Sequence, residues 1–394
     1  MPIHNQNRGW SYSLTASLIL MAPFDLLASL AMDIYLPVIS EMPKILQTSP
    51  QAIQLTLSLY LIVLGLGQLA FGPMSDQVGR RPVLLFGAFL FAGSSLLISV
   101  LSSANLFIAL RVLQGLGASA MLVATFATVR DVYGGRPESA LIYSLFSSML
   151  AFVPALGPIA GALIANQFSW RGIFIFLGVA SFAASLHAFL RWPETLLTPS
   201  VQKRVSFKEI LSHQHFWTYT VGFSAAMGSF FVFFSTAPRI LIERQGLSQT
   251  EFSFAFASVA LVMVISARGA KNFINRWKIQ GCFKRGLGVL ILGAIILALI
   301  EMTVGQNLWT VLASMSLIAF GIVLTVSVTA NGALERFAHV AGSATALYYS
   351  IQSLIVGTVG TFFIMILPGD TIWPLAAFSA LMASVSLGLL KGTR

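Results

Sequence analysis

The chain has 394 residues, of which 57% are hydrophobic and 9% charged, with a mean hydropathy of +0.85. A soluble protein coats itself with about 25% charged residues, so this composition excludes a water-soluble multidomain enzyme and implies an integral membrane protein. The net charge of +10 is accounted for by basic loops on one side of a membrane, and no nucleic-acid partner is expected.

Crossing a bilayer takes about 20 mostly apolar residues. Twelve such runs follow one another: 14–36, 51–72, 82–101, 104–129, 138–165, 171–191, 216–237, 250–268, 286–304, 308–332, 341–367 and 371–390. The first is no secretory signal, because it carries Asp25 and Asp33 and lacks a small-residue cleavage site. Connections are short except for the polar stretch 192–215, with Pro193, Pro199, Lys203, Arg204, Lys208, His213 and His215. The expected organisation is therefore a six-helix bundle over 1–192, a central loop over 193–215 and a second six-helix bundle over 216–394.

With the N-terminus inside, cytoplasmic segments collect 18 of the 23 Lys and Arg residues, from Arg8 to Arg394. Outer loops hold Lys44, Arg171, Arg239 and Arg244, and Arg111 alone lies within a span. That asymmetry predicts an even number of spans with both termini cytoplasmic.

Of thirteen acidic residues, only Asp25 and Asp33 fall inside a span. Intramembrane charges cost about 2.5–3.5 kcal/mol on insertion scales and commonly face a working cavity. Asp25 lies about 16 Å into its helix, near the midplane, with Asp33 about 12 Å further and about 80° around. Both can line one cavity. Arg111, in span 4, is expected at a depth between them, where it would partly compensate the two carboxylates. The alternatives are a structural ion pair and a proton or substrate site. Gln114 shares the face of Arg111, and Gly115, Gly117 and Ala118 permit close helix approach. Span 5 contains Pro154-Ala-Leu-Gly157-Pro158-Ile-Ala-Gly161, whose prolines permit a bend.

Between spans 2 and 3 runs Gly72-Pro-Met-Ser-Asp76-Gln-Val-Gly79-Arg80-Arg81-Pro82. Its glycines allow a tight turn, Asp76 can accept from a helix N-terminus, and Arg80 can reach an acid, Asp131 being best placed. Further polar and aromatic candidates for a cavity are Tyr60, Phe230, Phe231, Phe233, Phe234, Tyr348, Tyr349 and Gln352. The lone Cys282 and the spacing of His187, His213, His215 and His339 offer no metal site. No phosphate loop, nucleophile elbow or zinc-helix motif occurs, so neither ATP drive nor intramembrane catalysis is expected.

The 72–82 loop, the Arg111-x-x-Gln114-Gly115 segment and the Gly157-Pro158 helix, in that order, resemble the major facilitator superfamily and its drug:proton antiporter branch. Asp33-Ile-Tyr35-Leu36-Pro37 resembles the Bcr/CflA drug-resistance subfamily. The segments 29–37, 118–133 and 233–239 are similar to the bacterial chloramphenicol/florfenicol exporters. Val153 and Ala162 depart from the family pattern in helix 5, and the second-half copy of the loop motif, around Arg268–Arg285, is degraded.

The resemblance implies a major facilitator fold with a mid-depth cavity between the bundles. The implied function is proton-coupled efflux of phenicol antibiotics across the bacterial inner membrane, by a monomer with no cofactor beyond the proton gradient. Asp25, Asp33 and Arg111 would couple protons. They would bind drug together with Tyr60, Gln114, Phe230, Phe234, Tyr348 and Gln352, while Asp76, Arg80, Asp131, Gly157 and Pro158 would gate. The alternatives are a broad multidrug exporter and, from another class, a membrane receptor, which would be expected to carry a long soluble output domain.

Overall fold

The computed structural model describes residues 10–196 and 207–392. Arg8, Pro199, Lys203, Arg204 and Arg394 lie outside the described residues. The described chain is helical, and its spanning helices are named α1–α12 here. Helix α1 is Leu14–Asp33, α2 Pro50–Val78, α3 Arg80–Val100 and α4 Ala104–Tyr133.

A helical run from Pro137 to Arg191 follows, and another from Gln249 to Thr303, each of 55 residues. As one straight helix, 55 residues would extend about 80 Å, far beyond a hydrocarbon core of about 30 Å. Each run is broken at a single residue, Ser169 (φ 61°, ψ 177°) and Lys278 (φ 57°, ψ 177°). They therefore form α5 (137–168) with α6 (170–191), and α8 (249–277) with α9 (279–303). Helix α7 is Gln214–Pro238 and α10 is Leu308–Leu334. Helix α11 begins as Ala341–Ile355 and passes through a π-helical turn, Val356–Gly360, into Thr361–Ile366. Trp373–Lys391 is α12.

The ten long apolar helical segments among the described residues thus amount to twelve crossings in two six-helix bundles. The turn regions differ from expectation. Residues 269–285 were expected as a loop between spans 8 and 9, yet they are helical apart from Lys278, and the 72–82 loop is helical apart from Gly79. Hydropathy marks only the part of a helix inside hydrocarbon, whereas Lys, Arg and Gln sustain a helix well beyond it.

In hydrocarbon no water can satisfy stray polar groups, and the described helices answer this locally. Ser13 and Ser49 cap α1 and α2, and Ser248 with Glu251 forms a capping box on α8. Buried hydroxyls such as those of Ser95, Thr128 and Thr325 donate to the carbonyl four residues back. Packing relies on close approach of small residues. A Cβ on Gly117 would stand 2.6 Å from the Gly87 carbonyl oxygen, joining α4 to α3. A Cβ on Gly321 would stand 3.0 Å from the Gly286 carbonyl oxygen, joining α10 to α9 in the same manner.

Those pairs expose an internal repeat. Gly286 lies 199 positions after Gly87, and Lys278, at the α8–α9 break, lies 199 positions after Gly79 at the α2–α3 break. The backbone device is repeated but its charges are not: Asp76 corresponds to Asn275 and Arg80 to Ile279.

Both ends of each bundle lie on one face. The Tyr12 hydroxyl donates to the Arg191 carbonyl (2.6 Å), joining the start of α1 to the end of α6. Gln214 Nε2 donates to the Leu389 carbonyl (3.4 Å), joining the start of α7 to the end of α12. The bundles are pinned together on the opposite face. There Gln54 donates to the Ser235 carbonyl (2.5 Å), Ser253 to the Pro158 carbonyl (3.0 Å), Gln249 to Glu41 (2.7 Å), and Thr361 to Ser58.

Candidate functional site

The charged residues of the first bundle form two separate constellations. The inner one surrounds Arg111, which is fully buried on α4. One of its terminal nitrogens donates to the Ala31 carbonyl (3.2 Å) and to Gln114 Oε1 (2.5 Å). Gln114 Nε2 passes the chain to Ser95 Oγ at 2.8 Å. The guanidinium also lies over three rings, with centroid distances of 4.9 Å to Tyr60, 5.4 Å to Tyr35 and 6.0 Å to Phe174. A desolvated cation over an aromatic face gains about 2 kcal/mol or more, so the rings do much of what a counter-ion would do.

The alternative of a direct structural ion pair is not seen, since no ion pair within 4.0 Å joins Arg111 to Asp25 or Asp33 among the described residues. The bond to Ala31 does place the guanidinium along α1 between the two carboxylates. Asp25 and Asp33 are 1% and 8% exposed. Both carboxyl oxygens of Asp25 and Oδ1 of Asp33 are buried without a hydrogen-bond partner among the described residues. Arg111 keeps Nε and its other terminal nitrogen unpartnered too.

A carboxyl with no protein donor can gain and lose a proton without breaking a protein hydrogen bond. That is the property a reversible proton carrier needs.

Asp33 lies where α1 meets α5. A Cβ on Gly157 would stand 2.8 Å from the Asp33 Cβ, and one on Gly161 would stand 1.9 Å from the Ile34 carbonyl oxygen. Pro158, next along α5, offers its carbonyl to Ser253 of α8. Asp33, Gly157, Pro158 and Ser253 thus form one contact path from the first bundle into the second.

The aromatic and polar candidates are dispersed and mostly buried. The Tyr60 hydroxyl donates to the Ala28 carbonyl (2.6 Å). Phe230 and Phe234 pack with Phe256, beside the stacked pair Phe233–Phe256, with Phe231 buried nearby on α7. Tyr348 was expected to present its ring to a ligand, but it is 1% exposed and its hydroxyl donates to Thr329 (2.8 Å). Its neighbour Tyr349 is 44% exposed. Gln352 is buried on the same helix.

The second constellation lies on the termini face. Arg80 Nε donates to Asp131 Oδ2 at 2.8 Å, and a terminal nitrogen reaches Asp76 at 2.5 Å and Ser75 Oγ at 2.8 Å. Arg130 approaches Asp76 (3.7 Å) and Asp131 (3.8 Å). Asp76 was expected to accept from a helix N-terminus. That role falls instead to Glu194, just past α6, whose carboxylate accepts from the backbone N–H of Arg80 (2.9 Å) and Arg81 (3.1 Å). The same carboxylate accepts from Thr195 and Leu196. It clamps the end of α6 to the start of α3 and complements the positive end of that helix.

Gly79 makes this possible. Its φ of 109° and ψ of 159° strongly favour glycine, and a Cβ there would stand 2.4 Å from Glu194 Oε2. Sequence reasoning missed Glu194, Arg130, Tyr35 and Phe174 as partners. An acid directly after Trp192-Pro193 was the available signal for Glu194, whereas nothing local in the sequence marks Phe174.

A family model described as Major Facilitator Superfamily matches residues 21–361. The chain is 46% identical over 400 residues to a chloramphenicol resistance protein of Pseudomonas aeruginosa, covering 99% of this chain and 94% of the relative. It is 28% identical to Multidrug resistance protein D of Escherichia coli (strain K12), covering 84% of each. A crystal structure of a D-xylose–proton symporter superposes with a TM-score of 0.73 at 16% identity, covering 95% of this chain and 97% of that one. Twelve apolar crossings in two bundles, a charged turn between α2 and α3, and matches of this extent lead to one assignment: the chain belongs to the Major Facilitator Superfamily and is a multi-pass membrane transporter.

Proposed function

We propose that the protein exports phenicol antibiotics, chloramphenicol and florfenicol, across the bacterial inner membrane in exchange for protons, with both termini cytoplasmic. The observation that carries the exchange is the pair of buried carboxyls on α1 that protein donors leave wholly or partly unpartnered, beside a buried guanidinium. The drug class is supported by the chloramphenicol resistance relative, alike along nearly the whole chain. The termini face is assigned to the cytoplasm because it collects most of the basic residues.

In the described conformation the bundles are joined on the outer face, so a drug would enter from the inside. Asp25, near mid-depth, would give up its proton as drug occupies the cavity. Displacement of α5 against α1 would reach Asp33 through Gly157 and α8 through the Pro158 carbonyl, linking the carboxylates to the rocking of the bundles. Asp76, Arg80 and Asp131, braced by Glu194, would hold the α2–α3 turn as one rigid unit during that movement. Drug and proton would then occupy the site in alternation, by a monomer needing no cofactor.

Expression in an efflux-deficient bacterium tests this. Resistance to chloramphenicol and florfenicol should rise far more than resistance to tetracycline or a lipophilic cation. Equal protection against all four would favour a broad multidrug exporter, a second reading that the similarity to Multidrug resistance protein D keeps open.

A further inference from the structure

The two copies of the turn on the termini face treat charge in opposite ways. In the first bundle Arg80 and Arg130 are matched by Asp76 and Asp131. In the second, Arg268, Lys271, Arg276, Lys278, Lys284 and Arg285 occur within 18 residues, all exposed. No Asp or Glu occurs between positions 252 and 300, and no ion pair reaches any of the six among the described residues. Six exposed cations without an acidic neighbour make this edge attractive to an anionic environment outside the chain.

A groove beside this edge gives that environment a shape. It has a volume of about 640 Å³ and is lined by Gln280 and Lys284 of α9 and by Ser384, Leu387, Leu390 and Lys391 of α12. Two ammonium groups and two polar side chains thus share a recess with leucines. Charge and amide suit a phosphate, and the leucines suit the start of an acyl chain. An aromatic pair stands on the same turn: Trp277 carries the Arg285 guanidinium 4.7 Å above its ring and stacks on Phe273 at 5.1 Å. Aromatic rings of this kind favour the headgroup level of a bilayer, and basic pockets between helices on the cytoplasmic side are suited to anionic headgroups.

We propose that this groove binds the headgroup of an anionic phospholipid of the inner monolayer, with Lys284 and Lys391 holding the phosphate, and the exposed cations of 268–285 gathering such lipids around it. The site lies between α9 and α12, outside both charged constellations of the first bundle.

Native mass spectrometry of the full chain, released from detergent with mixed phosphatidylglycerol and phosphatidylcholine, tests the proposal. Wild type should retain a phosphatidylglycerol adduct in preference to phosphatidylcholine. The double variant Lys284→Ala/Lys391→Ala should weaken that adduct about 30-fold, the equivalent of about 1 kcal/mol for each lysine near an anionic surface. Lys284→Arg/Lys391→Arg should keep it, and Lys271→Ala/Arg276→Ala, away from the groove, should lower it only slightly. Millimolar inorganic phosphate should not displace the lipid. Equal loss in both alanine pairs would overturn the groove in favour of diffuse surface charge, and displacement by phosphate would assign the site to a free anion. An adduct unaffected by Lys284→Ala/Lys391→Ala would refute the proposal outright, and circular dichroism of each variant separates these outcomes from misfolding.

Discussion

Replacing Gly79 by alanine should damage the molecule out of proportion to one methyl group. The backbone there stands at φ 109°, ψ 159°, a region that costs a side-chain-bearing residue about 1–3 kcal/mol. The new Cβ would also lie 2.4 Å from Glu194 Oε2 and 2.9 Å from its Cδ, so the carboxylate must leave. In leaving it gives up the N–H groups of Arg80 and Arg81. Hydrogen bonds to a charged group are worth about 1.5–3 kcal/mol each, and solvent around the exposed Glu194 reduces that. A net loss of about 3 kcal/mol is expected. Gly72→Ala is the control, because a Cβ there meets nothing within 4 Å and alanine is the better helix former. Thermal unfolding of the purified protein in detergent should show a marked drop for Gly79→Ala and none for Gly72→Ala. Glu194→Ala combined with Gly79→Ala should cost less than the two single changes added together, since the clash disappears. Equal melting of the two glycine variants would refute the clamp.

Arg80→Ala should remove the buried cation that Asp76 and Asp131 share; because Asp76 is partly exposed and Arg130 stays near both carboxylates, the cost should be about 1–3 kcal/mol, read as a lower melting temperature in detergent. Gly161→Ala should force α5 away from the Ile34 carbonyl and cost at least about 1–3 kcal/mol of overpacking, measurable as a lower melting temperature. Arg111→Lys keeps the charge but loses the planar group that lies over Tyr60 and Tyr35, so efflux should fall about tenfold or more while the protein still reaches the membrane. Phenicols carry no net charge, so exchange for a proton moves charge at about 2.3 kcal/mol per 100 mV. An imposed inside-positive potential in inverted vesicles should therefore drive drug uptake without a pH gradient, and uptake indifferent to potential would exclude one-for-one exchange.

The twelve crossings were legible because hydrocarbon imposes a length and a composition on each one. What hydropathy missed lay where that constraint ends. Residues 269–277 continue α8 as a helix beyond its apolar part, and the break falls at a lysine in a left-handed conformation that no propensity marks. The first-bundle turn was readable because Asp76 and Arg80 lie four residues apart and Asp131 stands at the end of α4, the helix that returns beside the turn. Glu194 was not, because its role depends on the end of α6 meeting the start of α3 across more than a hundred residues. Similarly, an arginine and two carboxylates at matching depth suggested mutual compensation. The rings of Tyr35, Tyr60 and Phe174 instead surround the guanidinium, a preference set by three-dimensional packing rather than by charge counting.

Exchange depends above all on whether the buried carboxyl of Asp25 gives up its proton when drug binds. The direct measurement is proton release from detergent-solubilised protein on addition of chloramphenicol, followed with a pH indicator in weak buffer. Wild type should release protons. Asp25→Asn should release none yet still bind drug, and Asp33→Asn should retain most of the release. Release from Asp25→Asn equal to that of wild type would contradict the assignment, and its loss in Asp33→Asn alone would move the proton to the second carboxyl.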